Sequence, residues 1–180
     1  MNKIVIQNVV ATAALGTKID LIAIMKVFKH AEYRPKRFPG LVFRLKRPKT
    51  ATLIFSTGKM VCTGAKSAKL AKRAVKKVVK ELRGEGFIIR DEPIIKIQNM
   101  VATADLSSKI DLEAAADFLD KIMYEPDMFP GAIYRMVEPK VVILLFTTGK
   151  IVITGAKSEE QVNIAADKIK DILTEYELLF

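Results

Sequence analysis

Shifted by 91 positions, the sequence falls on itself without a gap. "IQNVVATA" (Ile6–Ala13) meets "IQNMVATA" (Ile97–Ala104), and "KIDL" recurs at Lys18 and Lys109. "YRPKRFPG" (Tyr33–Gly40) meets "YEPDMFPG" (Tyr124–Gly131), "PK" recurs at Pro48 and Pro139, and "FSTGKMVCTGAKS" (Phe55–Ser67) meets "FTTGKIVITGAKS" (Phe146–Ser158). About half of positions 4–67 are identical in this register. A repeat of this length demands two copies of one structural unit, related by a pseudo-two-fold axis. The expected units are residues 1–90 and 91–180.

Each unit reads the same way. Ile4–Ala13 is rich in β-branched residues and predicts a strand. Asp20 caps a helix running to about His30, and Asp111 one running to about Ile122. The Tyr-to-Gly octet is a loop whose Pro-Gly predicts a type II turn, with glycine taking positive φ. Leu41–Leu45, Thr52–Phe55 and Lys59–Thr63 predict short strands, the last two joined by a tight turn at Thr57-Gly58. A helix follows from about Ser67 to Leu82. Ala71, Ala74, Val75, Val78 and Leu82 form its apolar face, opposite Lys69, Lys72, Arg73, Lys76, Lys77 and Lys80. Its copy, Glu159 to about Leu173, buries Val162, Ala165, Ile169, Ile172 and Leu173. The order strand, helix, three strands, helix predicts an α+β fold: one antiparallel sheet shared by both units, with the helices on one face. The other face then carries Asn8, Val10, Thr12, Val61 and Thr63, repeated as Asn99, Val101, Thr103, Val152 and Thr154. A large semi-apolar face is costly unless a partner covers it. Strict alternation sends Gln7 and Gln98 to the helix side.

Charge separates the copies. Met1–Arg90 holds 21 Lys/Arg against 4 Asp/Glu, and Asp91–Phe180 holds 9 against 16. The whole chain carries +10, which favours anionic partners, nucleic acid first. The halves differ in partners even where they share a fold. No window resembles a signal peptide, and no apolar run approaches the ~20 residues of a membrane helix. Cys62 is the only cysteine, so no intrachain disulfide forms. A reducing interior fits.

Catalytic chemistry is hard to find. His30 is the only histidine and sits among charged residues as a surface group. Cys62 alternates with Val61 and Thr63 and faces the core. The clustered Cys and His of a zinc site, the G-x-G-x-x-G pattern and the P-loop spacing are all absent. Glu159–Glu160 is a solvated helix start favoured by the dipole. The expectation is a binding protein without cofactor, metal or catalytic residues.

The combination "QNVVATA…KIDL…RFPG…FSTGKMVCTGAKS", repeated as "QNMVATADLSSKIDL…YEPDMFPGAIYRM…FTTGKIVITGAKS", resembles the conserved core of the TATA-box-binding protein family over essentially the whole chain. The chain starts close to the first repeat, without the long extension of many eukaryotic members, and so looks archaeal. The resemblance implies a saddle: a curved antiparallel sheet with four helices on its convex side and a concave side that enters the DNA minor groove. It also implies a general initiation factor that binds the TATA box, kinks and bends it, and recruits transcription factor B and RNA polymerase. Location would then be cytoplasmic and nucleoid-associated, or nuclear in a eukaryote.

Carried over residue by residue, the resemblance makes Phe38, Phe55, Phe129 and Phe146 the kinking wedges. Asn8, Val10, Leu53, Val61 and Thr63, with Asn99, Val101, Leu144, Val152 and Thr154, match the positions that read base edges. Minor-groove A·T pairs offer only acceptors, which suits donors on Asn and Thr; valines on the groove floor exclude the guanine amino group. Arg44, Lys49 and Lys59, mirrored by Arg135, Lys140 and Lys150, match phosphate contacts. Glu125 and Asp127 match the place where transcription factor B docks. Two other readings stand beside this one. A scaffold of the same fold that had lost DNA binding should lack the wedges or the Asn pair, and both are present. A nuclease or glycosylase with a similar domain needs a further catalytic domain, for which 180 residues leave no room.

Overall fold

The computed structural model describes residues 3–180. They divide into two compact units, Asn8–Gln98 and Asn99–Phe180, the latter joined by the residues up to Gln7.

In the first unit the order is β1 (Val5–Ala14), α1 (Leu21–Val27), β2 (Glu32–Tyr33), β3 (Leu41–Lys46), β4 (Lys49–Ile54), β5 (Lys59–Ala65) and α2 (Ala68–Gly84). Its strands lie side by side as β2-β3-β4-β5-β1, all antiparallel. The second unit repeats this with β6 (Ile94–Asp105), α3 (Leu112–Phe118), β7 (Ile122–Met123), β8 (Ala132–Met136), β9 (Val141–Leu145), β10 (Lys150–Ala156) and α4 (Glu159–Glu175). Its strands run β6-β10-β9-β8-β7, again antiparallel. The expected α+β class is therefore present in each unit.

Alternation sets the two faces of each sheet. Val9, Ala11, Ala13, Leu41, Phe43, Ile54, Met60 and Cys62 are buried on the helix side of the first unit. Ala71, Ala74, Val75, Val78, Val79 and Leu82 of α2 close over them. Burial pushes the Cys62 thiol up, so it stays neutral and unreactive. In α4 the buried face is Val162, Ala165, Ala166, Ile169 and Leu173, while Ile172 is only half-buried. At typical transfer values each buried Val, Leu, Ile, Met or Phe among these contributes about 1.5–3 kcal/mol, and each Ala less, before entropy is charged against it.

The caps fall where the side chains demand. Asp20 accepts from the Ala23 amide at 3.1 Å and Asp111 from the Ala114 amide at 3.0 Å. Ser67 and Ser158 cap α2 and α4 through the Leu70 and Gln161 amides, both at 3.1 Å.

Four expectations need correction. Helix α1 stops at Val27 and α3 at Phe118, well short of His30 and Ile122. The residues beyond are used otherwise: the Phe28 and His30 rings meet Phe43 edge-on at 5.0 and 4.9 Å, and Glu32–Tyr33 pairs with β3. His30 is thus an exposed residue outside the helix. Second, Ile122–Met123 is a strand.

Third, Gly40 and Gly131 are not among the glycines with positive φ. Their lack of a side chain serves close packing instead. A Cβ on Gly40 would lie 2.6 Å from the Phe38 ring and 3.1 Å from Phe55. One on Gly131 would lie 2.9 Å from Phe129 and 3.0 Å from both Phe146 and the Leu145 carbonyl. Positive φ belongs to the hairpin glycines Gly58 (91°) and Gly149 (96°), as the tight turn requires. Fourth, the Gln98 amide donates to Thr12 Oγ1 at 3.1 Å and the Gln7 amide to Thr103 Oγ1 at 3.0 Å. Both glutamines therefore reach the helix-free face.

Candidate nucleic-acid interface

The helix-free face of each unit is a set of cross-strand rows. In the first unit Val42, Leu53, Val61 and Thr12 stand opposite one another across β3, β4, β5 and β1. The second unit repeats the row as Ile133, Leu144, Val152 and Thr103. A parallel row runs Arg44, Ala51, Thr63 in one unit and Arg135, Val142, Thr154 in the other. All these residues are half-buried except the two arginines, which are exposed. Val10 and Val101 are half-buried on the same side.

Asn8 and Asn99 sit where the ladder is irregular. The register slips between Val9 and Ala11 in the β1–β5 pair, and between Ile153 and Ala156 in the β6–β10 pair. At the extra residue the chain passes through Gly64 (φ 102°) and Gly155 (φ 97°). The glycine amides lose their ladder partners there and donate to the asparagines: Gly64 N–H to Asn8 Oδ1 and Gly155 N–H to Asn99 Oδ1, both at 2.6 Å. A backbone amide can only donate, so it settles which way each side-chain amide points. The Asn8 NH₂ group also donates to Thr63 Oγ1 at 3.0 Å, and that of Asn99 to Thr154 Oγ1 at 3.3 Å. Among the described residues, one amide hydrogen of each asparagine stays uncommitted. The pair on each face thus presents donors.

The four phenylalanines come together two by two. Phe38 and Phe55 have centroids 5.8 Å apart at 64°; Phe129 and Phe146 lie 5.9 Å apart at the same angle. Phe38 is 42 % exposed and Phe129 36 %, unusual for rings with a core available. The loop that carries each is fixed by its own backbone. Arg34 C=O accepts from the Arg37 and Phe38 amides at 2.9 and 3.0 Å, and Glu125 C=O from Met128 and Phe129 at the same distances. Next to each pair is an open recess. One, of about 870 Å³, is lined by Phe55, Val61, Thr12 and Gln98, and the other, of about 580 Å³, by Phe146, Val152 and Thr103.

Lys49, Lys59, Lys140 and Lys150 are exposed, as are Glu125 and Asp127. Arg44 pairs with Glu32 at 3.1 Å, both side chains 56 % exposed. Arg135 has no such carboxylate among the described residues, since Met123 stands at the place of Glu32. Sequence reasoning placed Thr12 and Thr103 on this face without assigning them a contact, and left out Val42, Ile133, Ala51, Val142 and the two glutamines. Thr12 and Gln7 recur unchanged in the repeat, a usable signal. Val42 and Ala51 do not, and only the pairing register reveals them.

The family model described as transcription factor TFIID (or TATA-binding protein, TBP) matches residues 3–84 and 94–176. The chain is 50 % identical over 173 residues to the TATA-box-binding protein of Archaeoglobus fulgidus, covering 95 % of this chain and 94 % of that one. It is 49 % identical over 177 residues to the TATA-box-binding protein of Methanocaldococcus jannaschii, covering 98 % and 97 %. A solved structure, Methanococcus jannaschii TBP, superimposes with a TM-score of 0.88 at 49 % identity, covering 97 % of this chain and 99 % of that one.

Proposed function

The chain belongs to the TATA-box-binding protein family, DNA-binding factors of transcription initiation and not enzymes, and from that premise we propose how its own residues work. The helix-free faces lie in the minor groove of an A·T-rich site. Phe38 with Phe55, and Phe129 with Phe146, enter base steps, replace lost stacking with ring contact, and kink the duplex. Bent DNA then meets more of the protein surface, which offsets the unstacking.

The observation that carries this reading is the fixed orientation of Asn8 and Asn99. With each Oδ1 held by a glycine amide at 2.6 Å, the exposed edge is a donor. The A·T minor groove offers only acceptors, adenine N3 and thymine O2. Val10, Val61, Val101 and Val152 press on the groove floor, with Leu53 and Leu144 beside the wedge rings. A guanine amino group would strike them and face donors. Thr63 and Thr154 support the asparagines and complete the contact. Arg44, Lys49, Lys59, Arg135, Lys140 and Lys150 hold phosphates along the rim. Glu125 and Asp127 dock a basic surface of transcription factor B, through which RNA polymerase is recruited. The protein works in the cytoplasm at the nucleoid of an archaeal cell.

The test is titration of a short A·T-rich duplex and a G·C control, with dyes on the duplex ends. The A·T duplex should bind about a thousandfold or more tightly, the lower range for specific sites. Its ends should approach on binding. Phe38→Ala and Phe129→Ala should each weaken binding by a few kcal/mol and open the bend. Equal affinity for the two duplexes overturns the groove-reading role. An unchanged bend in both variants removes the phenylalanines from theirs.

A further inference from the structure

One backbone edge is occupied in the second unit and vacant in the first. After α4 the chain turns at Leu178, whose amide donates to Leu173 C=O at 2.9 Å. It then runs antiparallel to Lys109–Asp111. Lys109 N–H donates to Phe180 C=O at 3.0 Å, Phe180 N–H to Lys109 C=O at 3.0 Å, and Asp111 N–H to Leu178 C=O at 2.9 Å. Leu178 is buried beneath the pairing.

The first unit begins the same way. After α2, Phe87 N–H donates to Leu82 C=O at 3.1 Å, the counterpart of the Leu178 bond. There the likeness ends. Lys18 N–H, Lys18 C=O and Asp20 N–H, equivalents of the three paired groups, have no hydrogen bond among the described residues. Arg83 holds the passing chain aside. Its guanidinium donates to the Ile89 and Asp91 carbonyls at 2.8 and 2.9 Å and pairs with Glu92 at 2.9 Å. The equivalent residue in α4 is Thr174, whose hydroxyl turns back onto Lys170 C=O. Between Leu15–Asp20 and Gly86–Asp91 lies a cavity of about 640 Å³. Ile88 stands at its border, 76 % exposed.

We propose that the Lys18–Asp20 edge is a docking site for an extended apolar, acid-flanked peptide segment of a partner protein. The segment adds there as a strand, as Leu178–Phe180 does in the second unit. Strand addition gives affinity through backbone bonds and selectivity through the side chains between them. The second unit displays the chemistry of a fitting occupant: Leu178, Leu179 and Phe180, preceded by Glu175 and Glu177. Charge favours such a segment at the first unit, where Lys18 and Arg90 border the cavity and the surrounding half holds 21 Lys/Arg against 4 Asp/Glu. Asp20 and Asp91 also line it. Asp20 caps α1, and Asp91 lies beside Gly16 only as a lining group, so the acids of the segment are expected next to Lys18 and Arg90. The cavity shares no lining residue with the recess beside Phe55.

The experiment uses the full chain and a labelled synthetic peptide, Thr-Glu-Tyr-Glu-Leu-Leu-Phe, the sequence of residues 174–180. Saturable one-to-one binding is expected, with the largest amide shifts and slowed hydrogen exchange at Lys18 and Asp20. N-methylation of the peptide's Phe nitrogen should weaken binding about tenfold, the scale of one lost strand bond with its steric cost. Ile88→Glu, on an exposed side chain, should weaken it as well while TATA-duplex affinity stays the same. No shift at Lys18–Asp20 at millimolar peptide overturns the proposal. So does equal binding of the N-methylated peptide, or shifts confined to Lys109–Asp111, which would mean the peptide only displaces the chain's own segment.

Discussion

The two octets share a backbone and oppose each other in charge. In each, the second residue's carbonyl takes the amides of the fifth and sixth, at 2.9 and 3.0 Å in both copies. In each, the ring pair crosses at 64° above a glycine with no room for a Cβ. What differs is confined to side chains that face away from this frame: Arg34, Lys36 and Arg37 against Glu125, Asp127 and Met128. The difference teaches where a duplicated unit is free to diverge. Positions that set the loop and seat the rings keep their residues. Exposed positions take whatever their separate neighbours reward.

The frame itself offers the largest test. Gly58 and Gly149 adopt left-handed φ, and a Cβ on either would lie 2.1 Å from a backbone oxygen, that of Thr17 or Ser108. Backbone cannot step aside as a side chain can. Gly58→Ala and Gly149→Ala should each destabilise the fold by about 3 kcal/mol or more, combining φ strain with the clash. Urea unfolding monitored by circular dichroism would give both values. Near-equal losses are expected. A difference above about 1 kcal/mol would show that the two hairpins are not one structural solution used twice.

Much of this was legible in the sequence, for a definite reason. The 91-residue shift could be seen without any structure, and helix caps depend on one side chain and the next three amides. Asp20 and Asp111 are therefore legible as caps, whereas the capping role of Ser67 and Ser158 comes from the structure. The misreadings are all tertiary. Two-residue strands such as Glu32–Tyr33 exist only because β3 lies beside them. Gly40 looks like a turn glycine until the rings above it are placed. The glutamines seem to face the helices until Thr12 and Thr103 accept their amides. The wedge and groove roles proposed here rest on resemblance, whereas the orientation of the Asn amides could come only from the bulge glycines.

The charge contrast between the octets gives the next test, of intermediate size. Two units of near-identical backbone would, on the proposed reading, accept a near-symmetric A·T site in either direction, yet transcription has one. Asymmetric partners must read the difference. Glu125→Arg should leave TATA affinity almost unchanged and weaken transcription factor B on the preformed complex by about 1 kcal/mol or more, as for a broken interfacial charge pair. Gel-shift titration of the factor measures it. Equal affinity of variant and wild type would detach the acidic octet from that partner.

The smallest effect concerns Arg44 and Arg135, which occupy equivalent exposed places but differ in company. Arg44 lies 3.1 Å from Glu32, whereas Met123 occupies that place beside Arg135. With both side chains of the pair 56 % exposed, its intrinsic worth is small, about 0.5 kcal/mol. On the phosphate role proposed for Arg44, DNA would compete with Glu32 for the guanidinium and approach a carboxylate to do so. Two consequences are expected. Arg44→Ala should cost less affinity than Arg135→Ala, though each should flatten the logarithmic salt dependence by about 0.9. Glu32→Met, which makes the first unit like the second, should tighten binding about threefold on A·T and G·C duplexes alike, because phosphates carry no sequence. The opposite result is physically meaningful. If Glu32 holds Arg44 extended toward the phosphate, its removal should weaken binding, and the ion pair would then be positioning the arginine and not restraining it. Salt titrations of the two single variants and the double variant separate these outcomes, since only competition makes the benefit of Glu32→Met vanish once Arg44 is alanine.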